Sequence, residues 1–483
     1  MSPAVITIVI SAFSAFLAVN WIYFKILSIA KKNDLVDNPD ARKLQKRPVP
    51  VLGGITVFFG LVVGVMVGCS VNFLLTRDIQ FSLTPVVCAV VIMIFTGAID
   101  DIMGLSPRMR FAVEILTILG LIFAGGGCID SFHGLWGIES FSWWIAIPLT
   151  VFAGVGIINA VNLIDGVNGL CSGLCILIST VFGAMFIKVS EIPNALLAFS
   201  LAAGAIPFFF HNVFGRKSKM FLGDAGTMMI GVVMVWFVIS ILRSDTSMEI
   251  VSAQNNSNMI AMSLAILSVP VFDTIRVMTQ RMYHRQSPFH PDKTHLHHVF
   301  IKAGVSHSVT TAIILAIDAV VVLIWMLSVK LHAGLDTQLY IVIFCGILFV
   351  WGMYFFISWN ERHHTRFMHW LAKIAIKTHL GHKNWWVRFE QFLDSPEEGY
   401  VYEAPEEIAD GSWDSVEERD RKMVMDYLKS KVEVYVDELK DRSGADPGNV
   451  AYLVGQGVED GVINVVKTDS EGRPSIVALK KEE

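Results

Sequence analysis

Charge is scarce in this chain. Asp, Glu, Lys and Arg make up 17% of 483 residues against 53% hydrophobic ones, and the mean hydropathy is +0.55. That balance excludes one soluble domain with a normal polar surface and implies a membrane protein. Cysteine is also scarce. The six present (Cys69, Cys88, Cys128, Cys171, Cys175, Cys345) lie in or beside apolar runs, with no CxxC pair and no even spacing. A secreted disulfide framework is thereby excluded. Cys171 and Cys175, at i and i+4, would suit a soft metal, but small residues at helix contacts are far commoner in bilayers. The first apolar run lacks a basic leader and a small-residue cleavage site, so it reads as a retained helix rather than a signal peptide.

Long apolar runs are abundant. About 20 residues cross the roughly 30 Å hydrocarbon core, and eleven candidate spans are found near 3–30, 51–74, 84–99, 109–126, 143–158, 169–187, 195–211, 222–242, 258–279, 309–328 and 339–359. Lys and Arg collect on the cytoplasmic side of such proteins. The loops at 31–50, 100–110, 211–221 and 280–308 carry about fifteen, against about four in the intervening loops, which puts the N-terminus outside and the C-terminus inside.

Composition changes after about residue 360. From Asp394 onward there are about 23 acidic and 11 basic residues, roughly −12, which leaves about +7 for the membrane part of a chain with net charge −5. SVEERDRKMVMDYLKSKVEVYVDELKDR reads as an amphipathic helix, and NVAYLVGQGVEDGVINVVKTDSEGRPSIVAL as short strands. HWLAKIAIKTHLGHKNWWVRF mixes basic residues with paired Trp, as a segment on a membrane surface or packed on the helices would. The expected organisation is an all-α polytopic membrane domain of about eleven transmembrane helices (1–360), a basic and aromatic interfacial linker (361–393) and a small, acidic α+β cytoplasmic appendage (394–483).

Polar chemistry gathers in four cytoplasmic loops. In GAIDDIMGLSPRMRF, Asp100 and Asp101 end a span; adjacent carboxylates repel, so one would serve as a base or a cation would relieve them. The alternative is a solvated helix end. In INAVNLIDGVNGL, Asn159, Asn162, Asp165 and Asn168 recur every three residues, like one polar helical face able to hold a hard cation; helix capping would explain one or two of them. FFHNVFGRKSKMFLGDAG sets Arg216, Lys217 and Lys219 before Asp224 at a glycine-flanked helix start, which suits a phosphate and its Mg2+. Taken alone, the basic residues are also what the positive-inside rule supplies. In SPFHPDKTHLHH the histidines alone suggest zinc, but the neighbouring aspartates, amides and cations fit hard-metal and phosphate chemistry better.

PVPVLGG, DDIMGLSPR, NAVNLIDGVNGL, FLGDAG and PDKTHLHH, in this order and in alternate loops, closely resemble the polyprenyl-phosphate N-acetylhexosamine-1-phosphate transferases over residues 35–308. The resemblance implies a bacterial inner-membrane enzyme with a cytoplasm-facing site that moves a sugar 1-phosphate from a UDP-N-acetylhexosamine to undecaprenyl phosphate and releases UMP. Its cofactor would be Mg2+, with Mn2+ as the substitute. By the same resemblance Asp224 and Asn162 match metal ligands, and Phe221 an aromatic that stacks on uracil. Asn212, Gly166, Val167 and Asn168 match the uridine site, which Asp165 would orient. Arg110 matches a diphosphate contact, and Lys43 with Arg42 matches the basic residues of the first loop. Asp100 and Asp101 match paired catalytic aspartates, and Lys293, His295, His297 and His298 match a clamp on the sugar phosphate and amide. A phosphate monoester is already a nucleophile, so direct attack by the lipid needs mainly alignment and charge neutralisation.

HLHH after PDK, in place of a consecutive histidine triplet, resembles the branch of the family that uses UDP-N-acetylglucosamine or a related N-acetylhexosamine rather than the phospho-N-acetylmuramoyl-pentapeptide branch, and the resemblance implies initiation of a surface glycan. Gln45 and Val51 depart from the His and the basic residue common in this family. The bilayer is a partner and nucleic acid is not; a homodimer fits the family, and docking of the next glycosyltransferase on the tail is an expectation from position alone. A metal transporter would instead carry ionisable residues at span centres, where only Asp273 and Asp318 stand.

Overall fold

Inside a bilayer a chain has to satisfy its own backbone groups, and the apolar runs of this sequence do so as helices. The computed structural model describes residues 2–37, 49–77, 83–215, 217–243, 257–288, 294–363, 365, 367, 384–394, 424, 425, 428, 434–436, 439, 450, 453, 454, 463–468 and 474–479. The elements are α1 (Pro3–Lys32), β1 (Val36–Asp37), β2 (Val49–Pro50), α2 (Gly53–Thr76), α3 (Thr84–Met103), α4 (Pro107–Gly125), α5 (Trp143–Leu163), α6 (Leu170–Lys188), α7 (Ile192–Phe214), α8 (Gly223–Leu242), α9 (Met259–Ile266), α10 (Ser268–Tyr283), α11 (Leu296–Lys302), α12 (His307–Lys330) and α13 (Leu335–Arg362). Beyond these lie α14 (Asn384–Leu393) and strands β3 (Val434–Tyr435), β4 (Ile463–Thr468) and β5 (Pro474–Leu479). The chain forms two units, Met1–Val299 with Thr310–Phe355, and Phe300–Val309 with Phe356–Glu483.

Among the described residues nine helices are long and apolar enough to cross a membrane, or ten if the bent pair α9–α10 is one span, where the sequence suggested eleven. The run at 109–126 forms α4, but Arg108, Arg110 and Glu114 in its first turns shorten the apolar stretch. The run at 258–279 is broken by 80° at Leu267. A helix broken inside apolar surroundings exposes N–H donors. Here Asp318 of α12 takes one of them, the Val269 N–H at 3.1 Å, and also accepts the Ser268 hydroxyl at 2.7 Å.

The membrane-crossing share of α8 is wholly buried, with α2, α3, α5, α6 and α9 packed around it. Its neighbours approach through small residues, as helices in bilayers do. A Cβ at Gly97 of α3 would lie 2.5 Å from the backbone of Ala225, and one at Gly54 of α2 would lie 2.2 Å from the Gly226 nitrogen. Around this centre α1 packs on α2 and α7. Phe13, Phe95, Leu116, Phe152 and Leu323 remain exposed on the outer faces, where lipid would cover them.

In the second unit β3, β5 and β4 form an antiparallel sheet in that order, and Leu439, Val450, Ile463 and Val477 belong to a small buried core. Most of the basic and aromatic stretch before α14 lies outside the described residues. Because α3 and α8 touch backbone to backbone, Gly97→Leu is expected to overpack the bundle and cost about 1–3 kcal/mol, whereas Gly120→Leu, with open space around it, should be neutral. Thermal unfolding of the two variants in detergent checks this.

Candidate active site

The site is organised by the start of α8. Its N-cap residue, Leu222, has no side chain that can accept a hydrogen bond, yet the first N–H groups of a helix need acceptors. Asp101 supplies them from the last turn of α3. Its oxygens accept from the N–H groups of Asp224 at 2.8 Å and Ala225 at 3.0 Å. An acidic group is unfavourable at the C-terminal end of its own helix and favourable at the N-terminal end of another, so Asp101 gains by reaching across. Gly223 makes the approach feasible: its φ is +72°, and a Cβ there would lie 2.6 Å from Asp101 Oδ2.

The first loop is laced to the same place through its backbone. β1 and β2 pair antiparallel, and Phe221 N–H donates to the Pro50 carbonyl at 2.7 Å. Gly53 N–H then donates to the Phe221 carbonyl at 2.9 Å and Gly54 N–H to that of Leu222 at 2.8 Å. Val51, buried, takes part through its backbone, and its carbonyl faces Gly223. PVPVLGG and FLGDAG thus form one joined wall.

The side chain of Asp224 is 34% exposed and meets the Asn162 amide, which also reaches Thr227 Oγ1 at 2.7 Å. Arg110 approaches Asp224 at 3.8 Å and Asp100 at 3.4 Å, while its Nε lies 3.3 Å from Glu114. Glu114, fully buried, holds the Asn159 amide at 2.7 Å. Asp100 also accepts the Leu105 N–H at 2.6 Å. The polar face expected through all four spaced residues is only half helical, because α5 ends at Leu163; Asp165 and Asn168 lie in the following loop. Asp165 is open to solvent on its outer side but otherwise walled by protein; that protein and the charge of Asp224 push its carboxyl up, and the Gly223 N–H pulls it back.

The remaining expected residues divide. Asn212 is buried and spent on the backbone, accepting the Gly169 N–H and donating to the Met220 carbonyl at 2.7 Å. Val167 is buried, and the Asn168 carbonyl receives Thr311 Oγ1 at 2.7 Å. Gly166 is exposed, with His297 Nε2 2.8 Å from where its Cβ would be. Phe221 is half-buried; the Lys219 ammonium lies 5.7 Å from its ring centre, and burial lowers that ammonium to about 8. His297 and His298 open α11 with ring centres 4.2 Å apart, and His295 just precedes them. Arg42, Lys43, Arg216 and Lys293 lie outside the described residues.

Among the described residues no three His, Cys, Asp or Glu side chains are placed to hold a metal ion. Mg2+, however, is commonly bound through one or two carboxylates plus substrate phosphates. Asp224 and Asn162 fit that pattern once the Asn162 amide is turned so that its oxygen, rather than its nitrogen, lies beside the carboxylate. Sequence reasoning missed Glu114 and Thr227. The Arg110-to-Glu114 spacing of i, i+4 inside an apolar helix was the available signal for the first; nothing marked the second.

If Asp101 serves as the cap of α8, Asp101→Ala is expected to lose about 1–3 kcal/mol of stability, with Asp101→Asn losing less because it retains one acceptor oxygen. Thermal unfolding in detergent reads the difference; an Asp101→Ala protein as stable as the unmodified one would remove the cap from the account.

Residues 83–242, which run from α3 to the end of α8, match the sequence profile of glycosyl transferase family 4. A probable undecaprenyl-phosphate N-acetylglucosaminyl 1-phosphate transferase of Bacillus subtilis (strain 168) is 30% identical over 316 residues, 65% of this chain and 83% of that protein. Undecaprenyl-phosphate alpha-N-acetylglucosaminyl 1-phosphate transferases of Yersinia pestis and Escherichia coli (strain K12) are 28% and 27% identical, covering 64% and 74% of this chain and 80% and 93% of their own lengths. With its polar cluster drawn from the matched segment and this extent of likeness, the chain belongs to glycosyl transferase family 4.

Proposed function

We propose that the protein transfers N-acetylglucosamine 1-phosphate from UDP-N-acetylglucosamine to undecaprenyl phosphate at the cytoplasmic face of a bacterial inner membrane, initiating a surface glycan. The observation that carries this reading is the meeting of Arg110 and Asn162 with Asp224 at a half-open position, with Asp100 also on Arg110, so that three separate stretches of the sequence share one cluster. The relatives' names supply the acceptor lipid and the sugar.

In this reading a lipid phosphate oxygen attacks the sugar-bearing phosphorus; the new P–O bond forms as the bond to the bridging oxygen breaks, and UMP leaves. Asp224 and Asn162 would hold Mg2+, which supplies charge neutralisation on the diphosphate. Arg110, steadied by Glu114, adds a fixed positive charge beside them. Asp100, 3.4 Å from this arginine and not engaged with α8, fits a role in aligning or deprotonating the lipid phosphate. Asp101 works through α8 instead. The tail, with its own sheet, is a candidate for docking a later enzyme, and a homodimer remains the expected assembly.

HLHH favours N-acetylglucosamine over phospho-N-acetylmuramoyl-pentapeptide as the transferred group. The transporter reading loses its two supports, because Asp318 takes the start of α10 and Asp273 pairs with Arg276 at 2.7 Å. Detergent-purified protein given undecaprenyl phosphate, Mg2+ and UDP-N-acetylglucosamine is expected to release UMP, with Asp224→Ala slower by at least about 1,000-fold. No UMP from the unmodified protein with any UDP-N-acetylhexosamine would overturn the reading.

A further inference from the structure

Apart from the Asp224 cluster, three buried ionisable groups meet where α10 gives way to α11. Asp273, Arg276 and His295 are 2%, 1% and 3% exposed. Asp273 Oδ1 accepts from Arg276 Nη2 at 2.7 Å, and Oδ2 lies 2.9 Å from His295 Nδ1. The Leu296 N–H, first in α11, reaches both oxygens at 3.2 Å. Arg276 donates further to the Thr294 carbonyl at 2.6 Å and Gln280 Oε1 at 3.1 Å, and its guanidinium sits 3.6 Å from the Tyr354 ring centre.

Taking such charges out of water costs several kcal/mol per ion, so the arrangement is an expensive way to fill space. The carboxylate is saturated with donors. His295 Nε2 is not satisfied: it is buried and has no hydrogen-bond partner among the described residues. An ionised carboxylate only accepts, so Nδ1 carries a proton and Nε2 is the ring position left for a ligand. The His297 ring lies nearly parallel to that of His295, 5.8 Å away, and rests on Gly166 in the loop that follows Asn162. Through His297 the His295 ring is thus linked to the loop that follows Asn162.

We propose that Asp273 and Arg276 are positioning residues for the transfer step, locking the His295 ring so that Nε2 is presented to a phosphoryl oxygen of a substrate. The proposal rests on the transferase reading above. A phosphoryl oxygen accepts, so it is met by an Nε2–H, and the ring in the complex carries both protons. The phosphate is either that of the polyprenyl lipid or the diphosphate of the sugar nucleotide.

A double-mutant cycle on full-length protein in detergent tests this, with steady-state UMP release for Asp273→Asn, His295→Ala and the pair, and UMP affinity measured alongside. Asp273→Asn retains the shape and an acceptor for the Leu296 N–H. It is expected to lower kcat at least about 10-fold with the UMP Kd within about twofold, and to have no more than about a twofold further effect once His295 is Ala. A raised KM for undecaprenyl phosphate or for the sugar nucleotide in His295→Ala names the source of the phosphate. Equal losses from Asp273→Asn in both backgrounds, or no loss in either, overturn the proposal. If Asp273→Asn does not fold, Arg276→Lys takes its place in the same cycle with the same criteria. If the unmodified protein releases no UMP with any UDP-N-acetylhexosamine, the transferase reading fails first and the proposal falls with it.

Discussion

The rest of the site depends on one interaction, the carboxylate of Asp101 on the first N–H groups of α8. It sets the height and rotation of the helix that carries Asp224, and it joins α3 to α8 where Gly97 allows their backbones to touch. The first loop is laced onto the same turn through Gly53 and Gly54. Asp224 is thereby turned towards Asn162 and Arg110 rather than used to cap its own helix. The same bonds consume donors that the sequence suggested for a substrate phosphate, so positive charge at this place comes from side chains such as Arg110.

The device recurs. Asp318 accepts the Val269 N–H at the start of α10, and Asp273 the Leu296 N–H at the start of α11. In each case a helix begins at a buried residue, and an aspartate from elsewhere in the sequence takes the donor. Interrupted helices place irregular backbone beside a polar site, which a bilayer tolerates only where protein lines it. The ionisable residues that seemed out of place for an enzyme thus maintain the interruptions around which its chemistry is arranged.

Much of this was legible in the sequence. Apolar length located the long helices, because crossing hydrocarbon allows few other solutions, and ordered polar loops located Asp100, Arg110, Asn162 and Asp224. What escaped were relations across helices. No spacing rule tells that Asp101 serves α8, that Asn212 ties two loops together, or that Glu114 holds Asn159, since these partners are set by tertiary packing. The break at Leu267 was hidden for the same reason: apolar residues continue across it to Phe272, and the Val269 N–H that it frees is taken by Asp318 of α12.

On the proposed reading α8 is held from outside so that Asp224, with Asn162, would hold a divalent cation. Mn2+ binding followed by electron paramagnetic resonance, with UDP present, tests it most directly. One bound ion per chain in the unmodified protein, lost in Asp224→Asn, is the expected result. Equal Mn2+ binding by the Asp224→Asn protein would contradict the account.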